Sequence, residues 1–181
     1  MTDSVKGDGR RLSSRTIFEG RVIDVAVDRV LLPNGRQHEF EMIRHLGAAA
    51  VVPVIEDRVL LIRQYRYASG GWLDEIPGGK LDGDDPETCA RRELVEEIGY
   101  RPGELISLGW IWTTPGFTDE KIHLYLGQNL EPAEQALEAH EVIEVVPVPL
   151  AEAVRRAARG DITDSKTVCG LLRAASVLAN S

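Results

Sequence analysis

The stretch RRELVEEIGY, residues 91–100, limits what this chain can fold into more than any other segment. It holds Glu93, Glu96 and Glu97 at spacings of three and four, so a helix would place their carboxylates on one face. Like charges at these spacings destabilise a helix by about 0.2–0.5 kcal/mol per pair. A sequence that needed only a stable solvated helix would usually interleave lysines. We therefore expect a cation to complete this face.

The residues around this stretch predict a helix over Pro86–Ile98. Asp84 or Asp85 is a suitable N-cap, proline is favoured in the first turn, and Gly99 is a suitable stop. The apolar stripe of this helix consists of Ala90, Leu94 and Ile98. The glutamates then lie on a different side of the helix from the stripe that faces the core.

Strand-like alternation of apolar residues dominates the rest of the chain. It extends over TIFEGRVIDVAVDRVLL from Thr16, HEFEMIRH, AAAVVPVI, VLLIRQYRY, LISLGWIWTT, KIHLYLGQNL and VIEVVPVPL. Asn34-Gly35 predicts a hairpin turn, and the Gly-rich ASGGW interrupts the pattern before LDEIPGGK. Two amphipathic helices, LAEAVRRAAR and SKTVCGLLRAASVLA, follow the strands. This order favours an α+β fold with a mixed sheet between helical layers and an N-terminal antiparallel hairpin.

Composition and charge exclude several classes of protein. The 181 residues suffice for one well-packed domain with a small extension. A net charge of −8 argues against a nucleic-acid binder, which normally carries a basic face. Cys89 and Cys169 have no disulfide or zinc spacing, and no run approaches the roughly 18 apolar residues that span a bilayer. We expect a cytoplasmic protein without nucleic-acid or membrane partners.

The glutamates lie near the end of the segment GGKLDGDDPETCARRELVEEIGY, and this segment resembles the sequence motif called the Nudix box, which is typical of the Nudix hydrolases. That box reads G-x5-E-x7-R-E-U-x-E-E-x-G-U, where U is a bulky apolar residue. Counted from Gly78, the chain matches it position by position from Arg92 to Tyr100. Asp84 stands where the family has glutamate, which affects the loop but not the helix. Glutamates alone usually mark a solvated face, whereas the full pattern is far more specific.

The resemblance implies a metal-dependent hydrolase with a Nudix-type α/β/α sandwich. Glu93, Glu96 and Glu97, with a carbonyl near Gly78, would hold Mg²⁺, for which Mn²⁺ is a possible substitute. Carboxylate oxygens are the ligands that hard divalent cations prefer. Arg92 would neutralise and orient a nearby glutamate through a charge-assisted hydrogen bond, and we count it with Glu97 among the catalytic residues.

Two further segments resemble the branch that hydrolyses ADP-ribose and nucleoside diphosphate sugars. They are TTPGFTDEKIHLYL, which contains Pro115, and VLLIRQYRYASGGWLDEIPGGK, in which Arg66 is expected to contact the diphosphate or the sugar. The planar donor fork of arginine suits phosphate oxygens. Glu75, Glu120 and Phe117 are further candidates for substrate binding. Trp72, Trp110 and Trp112 are candidates for stacking on a base, although most such aromatic residues belong to a core.

A glutamate on a late loop serves as general base or positions the attacking water in this branch. The local pattern EVIEV assigns that role to Glu141, and Glu138 is the alternative. A carboxylate at this place can accept a proton from water whose acidity a metal ion has raised.

The resemblance also predicts the organisation of the chain and its activity. Residues 1–13 would be a flexible N-terminus, residues 14–45 N-terminal strands that join two subunits of a homodimer, and residues 46–181 the Nudix hydrolase domain. The expected reaction is hydrolysis of ADP-ribose to AMP and ribose 5-phosphate. Three alternatives remain open: a GDP-mannose pyrophosphatase, a nucleoside triphosphate pyrophosphatase, and a ligand sensor that keeps the fold without turnover.

Overall fold

The structure is a computed structural model that describes residues 8–21, 23–137 and 141–180. Its strands are β1 (Arg10–Glu19), β2 (Asp24–Leu31), β3 (Gln37–Arg44), β4 (Ala48–Ile55), β5 (Arg58–Arg66), β6 (Gly71–Glu75), β7 (Gly78–Lys80), β8 (Tyr100–Trp112), β9 (Lys121–Pro132) and β10 (Ile143–Pro149). Its helices are α1 (Pro86–Ile98), α2 (Leu150–Arg159) and α3 (Ser165–Leu178), and a 3₁₀ turn covers Tyr67–Ser69. None of the helices in the described ranges is both long and apolar enough to cross a bilayer.

The chain folds into two compact units. One contains the described residues up to His45 together with Thr114–Glu120. The other contains Leu46–Thr113 and the described residues from Lys121 onward.

The first unit is built on a three-stranded antiparallel sheet in the order β1-β2-β3. The hairpin predicted at Asn34-Gly35 is confirmed, because Gly35 has φ 80° and joins β2 to β3. The alternation that begins at Thr16 is divided by a turn that the sequence analysis missed. The N–H of Gly20 donates to the carbonyl of Ile23 at 3.0 Å, and the chain reverses there between β1 and β2.

A buried ion pair ties the segment Thr114–Glu120 to this sheet. Arg44 bonds the buried carboxylate of Asp28 on β2 and, at 3.0 Å, Oδ2 of Asp119. The backbone adds support, since Ile43 N–H donates to the carbonyl of Phe117 at 2.7 Å. Arginine suits this place because its planar group can serve two carboxylates at once.

The second unit is built on a mixed sheet in the order β10-β5-β4-β9-β8. Strands β4 and β9 are parallel, and the other pairs are antiparallel. Strands β4 and β5 pair only at Val54↔Val59 and Ile55↔Arg58, and beyond this point they separate. There β6 pairs with β5, and β7 pairs with β4. The Gly-rich segment, in which the sequence predicts an interruption, thus forms two short strands at a split in the sheet.

Both faces of this sheet are covered by helices, as the predicted α+β sandwich requires. On one face, Ala49 and Val51 of β4 share a core with α1. On the other face, Ala50 and Val52 share a core with α2 and α3. Continuous burial of β4 explains its uninterrupted run of small and β-branched residues.

Helix α1 has the predicted limits, Pro86–Ile98. Of the two candidate N-caps, Asp85 is the one used, because its carboxylate accepts from the backbone N–H groups of Glu87 and Thr88 at 3.1 Å. Gly99 ends the helix in the left-handed conformation at φ 70°. This cap fixes where the glutamates of the helix lie along the sheet.

The adjacent leucines of α3 provide a test of this packing. Leu171 is fully buried in the core beneath the sheet, whereas Leu172 is exposed. We expect Leu171→Ala to lower the free energy of unfolding by about 2–5 kcal/mol and Leu172→Ala by less than about 0.5 kcal/mol, as measured by urea unfolding. Equal losses for the two variants would contradict the assigned face of α3.

Candidate active site

Helix α1 carries two carboxylates into the interior of the second unit. Glu93 is buried and Glu97 is 2 % exposed, and they lie one helical turn apart. The side chain of Glu96, which was expected to share their face, is 36 % exposed and lies nearer the surface. The predicted cluster therefore has a buried pair and one member at its rim.

Strand β7 packs directly against this buried pair. The N–H of Gly78 donates to Oε2 of Glu97 at 2.7 Å. A Cβ on Gly79 would lie 2.3 Å from Oε1 of Glu93, so a side chain there would require this carboxylate to move. The observed contact of Gly78 is made by its N–H, and the ligand role of its carbonyl stays a prediction.

Arg92 lies over the outer side of the cluster. Its Nη1 donates to Oε1 of Glu93 at 2.8 Å and to Oε2 of Glu96 at 2.9 Å. Its Nε donates to Oδ2 of Asp84 at 3.3 Å, and its Nη2 to the carbonyl of Lys80 at 3.1 Å. The residue that departs from the family pattern, Asp84, thus shares Arg92 with two of the box glutamates.

The single arginine does not compensate the buried negative charge. Burial raises the pKa of Glu93 to about 7, against the opposing charge of Arg92, and repulsion from Glu96 and Glu141 adds to the rise. Burial raises the pKa of Glu97 to about 8, where the hydrogen bond from Gly78 opposes the rise and repulsion from Glu93 and Glu141 adds to it. Desolvation and like charges are the two causes that keep carboxyls protonated.

Glu141 is brought into electrostatic range of both buried glutamates, because its charge contributes to the raised pKa of each. It lies just before β10, next to Val142, whose carbonyl accepts from the N–H of Tyr65 on β5 at 3.4 Å. The alternative, Glu138, lies outside the described residues.

The donor chemistry of this cluster fits a hard divalent cation. Its side chains offer only carboxylate oxygens, and the raised pKa values of Glu93 and Glu97 indicate that their negative charge is incompletely compensated. As arranged, the oxygens are bonded to Arg92 and to Gly78. Over the described ranges, no three His, Cys, Asp or Glu side chains are already grouped to hold a metal ion.

A second ion pair joins two of the predicted substrate-binding residues. Arg66 ends β5, and its Nε and Nη2 donate to the two carboxylate oxygens of Glu75 at 2.8 and 2.9 Å. Glu75 ends β6 and is 1 % exposed. Burial opposes ionisation of Glu75, yet hydrogen bonds from Arg66 and Lys166 keep its pKa below the usual range. The charge of Glu97 also helps to raise the pKa of Arg66, so this pair lies within electrostatic range of the α1 glutamates.

Lys166 is a member of this network that the sequence analysis missed. Its Nζ bonds Oε2 of Glu75 and, at 3.0 Å, Oδ2 of Asp164. The sequence analysis treated its segment only as an amphipathic helix. The available signal was a lysine in the first turn of a helix, where the helix dipole disfavours a cation.

Phe117 and Glu120 belong to the first unit. Phe117 is exposed, and the carboxylate of Glu120 lies 3.5 Å from Nε2 of His45. Their substrate-binding roles stay predictions.

The three candidate tryptophans are not core residues, contrary to the general expectation for such aromatics. Trp72 is exposed and packs edge to face on Tyr65. Trp110 and Trp112 are each 44 % exposed, with ring centroids 5.3 Å apart, and the ammonium of Lys121 lies over both rings. Alternate positions on β8 carry them to the surface because this part of the strand is covered on one face only.

Comparison with known proteins adds family information to this geometry. Residues 44–169 match the Nudix domain family, and residues 10–42 match the nucleoside diphosphate sugar hydrolase N-terminal domain. The ADP-ribose pyrophosphatase of Bacillus subtilis (strain 168) is 36% identical over 162 residues, which are 87% of this chain and 88% of that protein. The methanol dehydrogenase activator of Bacillus methanolicus is 40% identical over 163 residues, which are 88% of each.

A solved structure shares the fold. The crystal structure of an ADP compounds hydrolase matches with a TM-score of 0.85 and 24% sequence identity over 96% of both chains. The mixed sheet between helical layers and the N-terminal antiparallel sheet are therefore confirmed as a Nudix-type arrangement.

The buried carboxylates predict an unusual pH dependence of the metal-free protein. The pKa values of Glu93 and Glu97, about 7 and about 8, lie above the ordinary 4.5. Between pH 4.5 and about pH 8, the folded protein therefore binds more protons than the unfolded chain. The contribution of these two carboxyls to the free energy of unfolding is fully present below about pH 4.5, and this contribution is lost as the pH rises through about 8. In EDTA, we expect Tm to fall from pH 5 towards pH 9, and Glu97→Gln to weaken this fall. Identical slopes in wild type and variant would refute the assignment.

Proposed function

The chain belongs to the Nudix family, and on this premise we propose that it hydrolyses the diphosphate bond of ADP-ribose. The products are AMP and ribose 5-phosphate. The observation that carries the proposal is the buried pair Glu93 and Glu97, with the charge of Glu141 and the Arg66–Glu75 pair in electrostatic range. The match of residues 10–42 to the N-terminal domain of nucleoside diphosphate sugar hydrolases supports the substrate class.

Nudix hydrolases generally need a divalent cation, and we propose Mg²⁺ here, with Mn²⁺ as a substitute. Glu93 and Glu97 would hold it, with Glu96 at the rim and the carbonyl of Gly78 as a further oxygen. Such a cation neutralises the charge of a diphosphate and increases the acidity of bound water. Arg92, which bonds Glu93 and Glu96, keeps these carboxylates oriented.

Glu141 is the general base of the proposed reaction. It accepts the proton of the water that attacks phosphorus, and the effect of its charge on both Glu93 and Glu97 supports its place near the reaction centre. Glu97 keeps a fixed orientation through its hydrogen bond from Gly78. These two carboxylates thus have separate tasks in the proposed reaction.

Arg66 binds the diphosphate. Two of its nitrogens are held by Glu75, and this side-on contact fixes the plane of the guanidinium. The remaining nitrogen, Nη1, has no hydrogen-bond partner among the side chains and backbone that the structure describes. It is the donor that we assign to a phosphate oxygen.

The proposal includes a cytoplasmic homodimer without nucleic-acid or membrane partners. Residues 14–45 would join the subunits; of the predicted flexible lead, residues 10–13 belong to β1, and residues 1–7 lie outside the described ranges. Strand β1 is exposed along its whole length, including Ile17 and Phe18, which is a surface that a second subunit would cover. Sedimentation as a monomer at micromolar concentration would reject the dimer.

A substrate panel separates this proposal from its alternatives. ADP-ribose, GDP-mannose and nucleoside triphosphates are incubated with the protein, with and without Mg²⁺, and the products are identified. We expect Mg²⁺-dependent release of AMP from ADP-ribose as the fastest reaction. Faster cleavage of GDP-mannose or of a triphosphate would replace the substrate assignment, and absence of any turnover would favour a ligand sensor.

The α1 glutamates supply the matching test by mutation. Glu97→Gln should lower kcat for ADP-ribose by about 10²–10⁴-fold, because it removes a carboxylate from the reaction centre while keeping the side-chain shape. Glu87→Gln is the control, since Glu87 lies on the same helix but is exposed, and its carboxylate bonds only Arg91 among the described side chains. The control should retain wild-type kcat. Full activity of the Glu97 variant would reject the catalytic role.

A further inference from the structure

Helix α3 begins with a buried lysine, which is an unfavourable choice on local grounds. Lys166 lies in the first turn, where the partial positive charge of the helix terminus repels a cation. Its side chain is buried, so its ammonium has lost most of its water. A buried ion pair of this kind is often no more stabilising than apolar residues of similar volume. A role other than stability is therefore worth seeking.

The ammonium of Lys166 bonds the carboxylate that orients Arg66. Nζ of Lys166 bonds Oε2 of Glu75, the same oxygen that accepts from Nη2 of Arg66 at 2.9 Å. Asp164 Oδ2 accepts a second hydrogen bond from this Nζ at 3.0 Å. Three groups in a row, Lys166, Glu75 and Arg66, are thus linked by charge-assisted hydrogen bonds.

The start of α3 is anchored to the segment that carries Glu75. The N–H of Ile76 donates to Oγ1 of Thr167 at 2.8 Å, and this hydroxyl donates to Asp164 Oδ2 at 2.5 Å. One turn later, a Cβ on Gly170 would lie 2.9 Å from Cδ1 of Ile76, so glycine lets the helix approach closely. The position of Lys166 relative to Glu75 is therefore set by helix packing rather than by the flexible lysine stem.

Glu75 in turn determines the direction of the Arg66 donor. Arg66 makes both of its side-chain hydrogen bonds within the described ranges to this one carboxylate. Glu75 is almost completely buried, whereas the guanidinium of Arg66 reaches solvent. Without Lys166, Oε2 of Glu75 would lose one of its two donors, and the carboxylate would be free to follow the arginine outward.

We propose that Lys166 is a positioning residue for substrate binding: it holds Glu75, and Glu75 holds Arg66 in the plane that meets the diphosphate. This inference rests on the proposed function, in which Arg66 binds the diphosphate. Lys166 itself does not touch the substrate in this proposal. Its contribution is to binding of the diphosphate rather than to the chemical step.

The test is a double-mutant cycle on KM for ADP-ribose. Lys166→Met should raise KM about tenfold, the size that the loss of one charged hydrogen bond carries, with little change in kcat. Lys166→Arg should restore part of the loss because it keeps the cation. Arg66→Met should raise KM at least as much, and adding Lys166→Met to it should have no further effect. The Mg²⁺ concentration for half-maximal activity should not change.

Arg156→Met is the matched control. Arg156 on α2 bonds Asp74, the residue before Glu75, and so it ties the same strand to the same helical layer without touching Arg66. This variant should lower Tm and leave KM unchanged. A rise in KM equal to that of Lys166→Met would show that loosening of β6 is by itself enough to weaken substrate binding. This result would overturn the proposal.

Two further outcomes decide the proposal. If the rises in KM of the two single variants multiply in the double variant, the proposal is overturned, because Lys166 then acts independently of Arg66. Where Lys166→Met does not fold, Lys166→Gln replaces it in the cycle, since glutamine keeps a donor for Glu75 without the charge, and the same non-additivity is required.

Failure of the proposed function is recognised separately. The cycle is also measured by calorimetric binding of ADP-ribose in EDTA, which requires no turnover. A wild-type protein that binds ADP-ribose without cleaving it would reject the proposed hydrolysis and leave the binding cycle to decide on Lys166. A protein that neither binds nor cleaves it would overturn both.

Discussion

Glu93 and Glu97 are buried one helical turn apart on α1, where burial and repulsion from neighbouring glutamates raise the pKa of both carboxyls. Removing ionised carboxylates from water is costly unless a cation or hydrogen-bond donors compensate them. The chain provides one N–H, from Gly78, and one shared arginine, Arg92, and the compensation is incomplete. A divalent cation would complete it, at the expense of the protons that these carboxyls otherwise retain. Under this proposal, the metal-free state and the active state are two charge states of one buried cluster.

The split between β4 and β5 makes room for this cluster. Because the two strands separate beyond Val54 and Val59, β7 can pair with β4 and lie against α1, while β6 pairs with β5 and carries Glu75. A side chain at Gly79 would displace the carboxylate of Glu93, so strand and helix meet at this carboxylate. On the β5 side of the split, the Arg66–Glu75 pair supplies the cationic donor. One break in the hydrogen bonding of the sheet thus lies between the α1 carboxylates, proposed to bind the metal, and the Arg66–Glu75 pair, proposed to bind the diphosphate.

Local signals in the sequence predicted α1 and its limits correctly, because capping residues and helical spacing act over only a few positions. The sequence did not reveal β6 and β7, whose pairing depends on where β4 and β5 separate. It also missed Lys166, whose partner Glu75 is 91 positions away. The tryptophans show the same limit, since the sequence left open whether Trp110 and Trp112 stack on a base or belong to the core, and the one-sided covering of β8 places them at the surface. Contacts distant in sequence decide these features.

The account depends on a cation bound at the α1 carboxylates, and anomalous diffraction tests this most directly. Crystals of the wild-type protein are soaked in Mn²⁺, whose anomalous signal identifies it. The account predicts a peak coordinated by carboxylate oxygens of Glu93 and Glu97, with those oxygens released from Arg92 where necessary. A Mn²⁺ peak elsewhere in the molecule, with these two carboxylates still bonded only to Arg92 and Gly78, would contradict it.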